Sequence, residues 1–404
     1  MRILFVHTTL PTRQDPEIFG GAEVAVQLML DSFAMMDDVE VLAIRGIGPG
    51  RPAYGDQRDG YSIVGLPVRR PYGMHEDVAR PAHDKLLWHL VDDIGWAPVD
   101  FEATVAAFRP DVALLHNLAA LGWRTARRLK AMNVPVIQTL HDYYFLCPRS
   151  ARYRGGAVCR QKCLDCRVTG LQRKGIGAAT DAVVAVSDAL LETHLDWGLF
   201  RQVPLKSVIP NAVEIEPVAV SRDWPELRLG FLGRSPPEKG LPLLASAFAR
   251  SPPGTRLLVA GRVSDADRAM LLSRAGGRPI EFLGFVPPDR LFRAIDLLVV
   301  PSLWDEPFGR VSIEAQAFGV PSIVSDRGGL PMTIGHGRAG WIFEPTDPEA
   351  LIRLIGLIAA DRALLDEKRL GIPSVFPQFS LARHLASYRG LIEQVIERSR
   401  AQTG

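Results

Sequence analysis

"PSLWDEPFGRVSIEAQAFGVPSIVSDRGGLP", residues 301–331, passes from loop to helix to strand without a break. Two apolar runs, "DLLVVPS" (296–302) and "VPSIVSD" (320–326), flank a helical pattern that begins near Gly309. Apolar strands joined through a helix run parallel and are covered on both faces. The same stretch carries two glutamates, Glu306 in the loop and Glu314 a turn or so into the helix. A helix start offers free N–H groups and a positive dipole end, which suits a phosphate. A carboxylate is an odd neighbour for a phosphate unless it binds hydroxyl groups attached to it.

The pattern repeats outward in both directions. Strand candidates toward the N-terminus are "RILFVHT" (2–8), "VEVLAIRG" (39–46), "DVALLHN" (111–117), "VPVIQTLHD" (134–142), "AVVAVS" (182–187) and "KSVIPN" (206–211). Amphipathic helical stretches lie between them, such as 22–36 and 123–132. After a charged, Pro-containing stretch at 213–226, the alternation restarts with "LRLGFLGR" (227–234) and runs through "TRLLVAG" (255–261) and "IEFLGFV" (280–286). The fold class expected is α/β, with two doubly wound Rossmann-like domains facing a central cleft. The boundaries expected are 1–215 for the first domain, with a cysteine-rich insertion at about 147–175, and 225–378 for the second. A helix over 379–404 would cross back to the first domain, and 76–98 reads as an inserted helix.

Composition sets the class. The chain has 404 residues, 47% hydrophobic and 23% charged, which is ordinary for a globular protein with real cores. A net charge of +2 is too mild to argue for nucleic acid. The longest apolar runs fall short of a membrane span, and "MRILFVHTTLP" reads as a first strand rather than a signal peptide. The expected location is cytoplasmic, with peripheral contact at the inner face of the membrane as the variant.

Two further stretches suit phosphate chemistry. In "GFLGRSPPEKG" (230–240) a strand turns through Gly233 and presents Arg234 and Lys239 before the next helix. A guanidinium grips a diphosphate bidentately and a lysine adds a point charge. In "FGGAEVAVQL" (19–28), Gly20 and Gly21 lead into a helix and permit close backbone approach to a ligand. The spacing is not that of the dinucleotide fingerprint. On this reading Glu314 takes ribose hydroxyls, Glu306 takes a sugar, and the N–H groups of Phe308, Gly309 and Arg310 face the phosphates.

All four cysteines sit in one segment, at Cys147, Cys159, Cys163 and Cys166. Four clustered thiols resemble a structural zinc site, with an iron–sulfur cluster, free thiols and a disulfide as the open alternatives. Arg149, Arg152, Arg154, Arg160, Lys162, Arg167, Arg173 and Lys174 crowd the same segment against Asp165. Such a run is a solvated surface or an attractor for a lipid diphosphate or an anionic membrane.

With these residues in view, "EPFGRVSIE" resembles the E-x7-E signature of retaining GT-B glycosyltransferases of family 4. "GRSPPEKGLPLLASAFA", "FGGAE", "VAVSDAL" (184–190), "VIPNAVEI" (208–215), "FLGFV" (282–286) and "SDRGGLP" (325–331) are similar to further pieces of that family, in order, over residues 2 to about 345. "HDY" followed by clustered cysteines resembles one of its subfamilies. The resemblance implies that Arg234 and Lys239 hold the donor diphosphate and Glu314 the ribose. It implies that Glu306 lies at the donor sugar and His141, in "TLHDYYFLCP", near the transferred sugar. It also implies that Gly20 and Gly21 close over the phosphates, and that catalysis retains configuration without a catalytic metal. Met332 stands where the family usually has a glutamate. The expected activity is transfer of a hexose from a UDP- or GDP-sugar to a saccharide or lipid-linked acceptor, in cell-surface polysaccharide or glycolipid synthesis. The alternatives are a GT-B-type sugar-nucleotide epimerase or phosphorylase, and a non-catalytic sugar-nucleotide-binding module.

Overall fold

Val112–Leu115, Ala182–Ala185 and Leu297–Val300 are apolar at every position and buried at every position. A strand of this kind needs cover on both faces, so helices must flank its sheet. The computed structural model describes residues 1–16, 20–73, 80–234 and 236–403. It divides into two units, the first made of Met1–Arg152, Arg160–Pro210 and His384–Gly404, the second of Tyr153–Cys159 and Asn211–Arg383.

The strands in chain order are β1 (Arg2–Val6), β2 (Glu40–Ile47), β3 (Tyr54–Gln57), β4 (Tyr61–Pro67), β5 (Val112–Leu115), β6 (Val136–Leu140), β7 (Tyr153–Arg154), β8 (Ala157–Val158), β9 (Ala182–Ala185) and β10 (Leu205–Val208). Six more follow: β11 (Leu227–Leu232), β12 (Thr255–Ala260), β13 (Ile280–Gly284), β14 (Leu297–Val300), β15 (Ser322–Ser325) and β16 (Gly340–Phe343). The first unit holds a sheet in the order β10-β9-β6-β5-β1-β2-β4-β3, and the second one in the order β13-β12-β11-β14-β15-β16. Every pairing in the second is parallel. In the first, only β3 runs antiparallel, against β4. Counting strands within that six-stranded sheet alone gives 3-2-1-4-5-6, the doubly wound order.

Strands end a residue or two before the apolar runs do, because polar residues such as His7, His116 and His141 lie past the last ladder position. Strands β3, β4, β7, β8 and β16 were not anticipated; "YGDQ" and "GWIF" carry few β-branched residues, and β7 and β8 are two residues each. Helix α1 (Gly21–Ala34) and helix α2 (Ala82–Ile94) follow β1 and β4. Part of the 76–98 reading, and Ser235, fall outside the described residues. The stretch read as a linker is laid against the second unit. Val213 N donates to Phe379 O at 3.0 Å and Val218 N to Ala317 O at 2.7 Å. The Arg222 guanidinium donates to the carbonyls of Ile295, Phe292 and Phe318.

The last helix, Leu381–Thr403, places Tyr388, Leu391, Ile392 and Val395 in the core formed by Ile3, Phe5, Val112, Leu114 and Ile137. Tyr388 Oη lies 3.0 Å from Thr139 Oγ1, so the buried hydroxyl has its partner. Because Ile392 is fully buried there, Ile392→Ala should destabilise the first unit by about 2–5 kcal/mol. Urea unfolding followed by tryptophan fluorescence measures it, and an unchanged midpoint would remove this helix from the core.

Candidate functional site

In the second unit the strand order reverses between β11 and β14. The chain leaves β11 for β12 on one side and β14 for β15 on the other, so the loops beyond their carboxyl ends part and leave a crevice. The loop after β11 presents Arg234 and then a short turn, Pro237–Lys239. Gly240 follows with φ +73°, and a Cβ there would stand 1.8 Å from Pro301 O. Leu303 N donates to Glu238 O at 2.7 Å. The two loops are therefore joined backbone to backbone.

This seam sets the side chains. Lys239 Nζ donates to Glu306 Oε1 at 2.5 Å, and Ser302 Oγ donates to the same oxygen at 2.8 Å. The Trp304 ring lies 5.4 Å from the Lys239 ammonium. From the other side, Gly329 N donates to Glu306 O at 2.7 Å. Gly328, at φ +56°, comes so close that a Cβ would be 2.1 Å from that oxygen. Glu306 is thus buried and held by both its carboxylate and its backbone.

Three residues on, Gly309 caps the helix Arg310–Ala317. The helix has no acidic residue in its first turn, so its amino end keeps its positive character. Phe308 is buried against Phe379, with ring centroids 5.9 Å apart. Arg310 Nε donates to Glu314 Oε1 at 2.7 Å, and its Nη1 to Ala212 O at 3.1 Å. The Arg310 side chain therefore orients Glu314, while its backbone N–H stays at the helix start with those of Phe308 and Gly309. Arg234 is exposed and has no ion-pair partner among the described residues.

In the first unit the reversal falls between β5 and β1. His7, His116 and His141 directly follow β1, β5 and β6, three neighbours in the sheet. His116 Nδ1 and His141 Nε2 share a hydrogen bond at 2.9 Å, and Thr9 N donates to His7 Nδ1 at 3.0 Å. His7 Nε2, His116 Nε2 and His141 Nδ1 are buried and make no hydrogen bond among the described residues. Burial, with the neighbouring imidazoles and Arg45 adding to it, lowers His7 and His141 to about 3 and His116 well below its ordinary value. His141 is accordingly a neutral ring at any ordinary pH. Next to it, burial raises the Asp142 carboxyl to about 6; the hydrogen bond from Tyr144 N opposes the shift and Glu23 adds to it. Glu23 accepts from Thr9 Oγ1 at 2.9 Å. Gly20 and Gly21 are exposed at the start of α1, with Gly20 as its cap in extended backbone.

The cysteines are thiols without a disulfide. Cys163 Sγ and Cys166 Sγ are 3.5 Å apart. A hydrogen bond shared with Cys166 pulls Cys147 down to about 6, and the same bond pushes Cys166 up. Cys159 falls with the second unit and the other three with the first. Among the described residues no group of three or more His, Cys, Asp or Glu side chains is placed to hold a metal ion.

Residues 20–212 match the Glycosyl transferase 4-like domain, and residues 219–371 match Glycosyl transferases group 1. The chain thus joins two glycosyltransferase-family domains, and its fold is that of the GT-B glycosyltransferases. A Klebsiella pneumoniae relative described as an uncharacterized 42.6 kDa protein in the cps region is 28% identical, over 82% of this chain and 86% of its own length. The sucrose-phosphate synthase structure of Thermosynechococcus elongatus superposes with a TM-score of 0.71 at 20% identity, over 98% of this chain and 99% of that one. The structure of Anabaena Alr3699/HepE in complex with UDP-glucose does so with a TM-score of 0.68 at 18% identity, over 98% and 100%.

For this glycosyltransferase the structure gathers Lys239, Glu306 and the Gly309 helix start, with Glu314 one turn beyond. Three contributors escaped the sequence reading. Ser302 lies inside the quoted stretch, four residues before Glu306, but serines there are unremarkable. Trp304 was readable only as a loop aromatic. His116 sits at the end of "DVALLHN" just as His141 ends "VPVIQTLHD", and that parallel was the available signal.

Two predictions follow from this geometry. Gly240→Ala should abolish soluble folding of the second unit or its nucleotide affinity, since both space and a left-handed φ exclude a side chain. Normal affinity by calorimetry would refute the seam. Acid should weaken the first unit. His7, His116, His141, His194 and His384 all have lowered folded values against 6.5 when unfolded. The unfolded chain takes up protons first, so stability is complete above pH 6.5 and falls as pH drops toward the folded values. Asp142 works in the opposite sense between about 6 and 3.8 but stands alone against the imidazoles. Calorimetric melting from neutral pH to about pH 4.5 should show a steady loss.

Proposed function

We propose that the second unit binds a UDP- or GDP-sugar at its β11/β14 crevice. The chain transfers the hexose, with retained configuration, to a saccharide or lipid-linked acceptor in cell-surface polysaccharide or glycolipid synthesis. The observation carrying this reading is the Lys239–Glu306–Ser302 cluster beside the amino end of Arg310–Ala317, at the strand reversal where α/β sheets take ligands. The UDP-glucose bound to HepE and the cps-region setting of the Klebsiella relative support the donor class and the pathway.

The chemistry follows from the charges. Leaving-group departure builds negative charge on the diphosphate and positive charge on the sugar ring. Lys239, the exposed Arg234 and the helix amino end oppose the first from fixed positions. Glu306, fixed by Ser302, accepts hydrogen bonds from the sugar hydroxyls, and Glu314, oriented by Arg310, accepts from the ribose hydroxyls. The acceptor hydroxyl forms its bond to the anomeric carbon as the bond to the phosphate oxygen breaks, and its proton passes to that oxygen. No basic side chain is required. His141, neutral and oriented by His116, serves as a hydrogen-bonding group to a sugar hydroxyl.

Thermal shift against UDP, GDP, ADP and dTDP identifies the base, and a shift with none of them would sink the reading. Lys239→Ala should weaken the preferred nucleotide about 10–100-fold, the range for a lost charge-assisted hydrogen bond. Glu306→Gln should leave that affinity nearly intact and slow transfer about 100–1,000-fold; unchanged turnover would displace Glu306 from the sugar.

A further inference from the structure

The first unit holds a recess that the histidines do not line. A cavity of about 220 Å³ is walled by the rings of Tyr72, Trp88 and Tyr144, with Lys85, Arg149 and Ser150 among its polar groups. Lys85 and Trp88, three residues apart on α2, share one face of that helix. Ala119 and Tyr144 fix where the cavity lies. Each comes four residues after its strand ends, at Leu115 of β5 and Leu140 of β6. The cavity is therefore beyond the carboxyl ends of the strands that lead to His116 and His141, the side on which sheets of this kind take ligands.

Its aromatic walls are anchored through their polar atoms. Trp88 Nε1 donates to Tyr72 O at 3.2 Å, and the two ring centroids are 6.4 Å apart. Tyr144 Oη donates to Asp92 Oδ2 at 2.7 Å, with the Arg173 guanidinium 4.3 Å from the ring. With indole N–H and phenol O–H engaged elsewhere, these rings offer the cavity apolar surface, which suits the C–H groups of a sugar ring.

The charged walls are of one sign. Lys85 makes no ion pair among the described residues. Arg149 comes only within 3.9 Å of Asp165, and both of those side chains are exposed. No acid among the described residues lines the cavity. The acids nearest along the chain face other groups. Asp84 lies 3.4 Å from His83 Nε2, and Asp142 accepts from Tyr144 N at 2.7 Å. Asp92 accepts from Arg70, Arg173, Tyr144 Oη and Ala120 N.

We propose that this cavity binds an acidic sugar, a pyranose ring that carries a carboxylate, such as a hexuronic acid. Lys85 and Arg149 take the carboxylate, Ser150 takes a hydroxyl and the aromatic walls take the ring. The volume suits a single sugar ring rather than a larger ligand. A guanidinium and an ammonium with no acid between them favour a carboxylate and discriminate against a neutral hexose, which would displace their water without pairing them. The inference deepens the proposed function by placing a uronic acid in the saccharide that receives the hexose, and it rests on that reading for its purpose. Its test does not.

The full chain, labelled with nitrogen-15 in its seven tryptophans, is titrated without nucleotide. The probes are methyl β-glucuronide, methyl β-glucoside, glucose 6-phosphate and acetate, each alone. The glucuronide should move one indole N–H signal saturably, and the glucoside and acetate should need at least about tenfold more ligand for the same movement. Lys85→Gln with Arg149→Gln should weaken the glucuronide at least about tenfold at an unchanged melting temperature. Two outcomes would remove the site: no indole response to the glucuronide, or an unchanged response in the double variant. Equal binding of the glucoside or of acetate would show that carboxylate and ring are not read together, which also overturns the proposal. Tighter binding of glucose 6-phosphate would give the cavity to a phosphate instead. A chain that takes the glucuronide yet shifts with none of the nucleotides would fault the donor reading and leave this site standing.

Discussion

Everything at the donor crevice depends on one close approach, between the backbone of Gly240 and the carbonyl of Pro301. Parallel strands that lie side by side, β11 and β14, send their following loops apart. Only where one loop presents no side chain can the other be drawn in against it. The contact fixes Lys239 at Glu306, and a matching approach of Gly328 to the Glu306 carbonyl closes the loop from the far side. A cation and an anion in contact hold each other in place, and the proposed function gives the lysine to phosphate oxygens and the carboxylate to hydroxyl groups.

The first unit solves its own crevice differently. It places neutral imidazoles rather than charges at the ends of β1, β5 and β6. Burial keeps protons off these rings, so they donate and accept hydrogen bonds without carrying charge. Charge in this unit is concentrated at Asp92, where burial would raise the carboxyl but Arg173 and Arg70 hold it down. Four donors meet that one carboxylate, and the fully buried pairs it makes order the segment around Arg173. A buried acid met by several donors in this way ties loops together more than it adds stability.

The sequence made the sheets legible because strands covered on both faces must be apolar throughout, as in "VALL", "AVVA" and "LLVV". It made Glu306, Glu314, Lys239 and Arg234 legible because their spacing around glycines resembles a known signature. It hid the role of Arg310, since a residue four before a glutamate in a helix pairs with it whatever else is nearby. The ion network beneath α2 does not show in periodicity alone, because an amphipathic stripe has the same pattern whichever side faces in.

The helix Leu381–Thr403 has a consequence for biosynthesis. Its Tyr388 and Ile392 belong to the core of the first unit, yet they are translated after the whole of the second. On the ribosome the first sheet therefore emerges with one apolar face covered by α1 but not yet by this helix, and must wait, through the synthesis of the intervening residues, for the rest of its cover. Nascent chains in that interval are the species most exposed to trapping by chaperones or by one another.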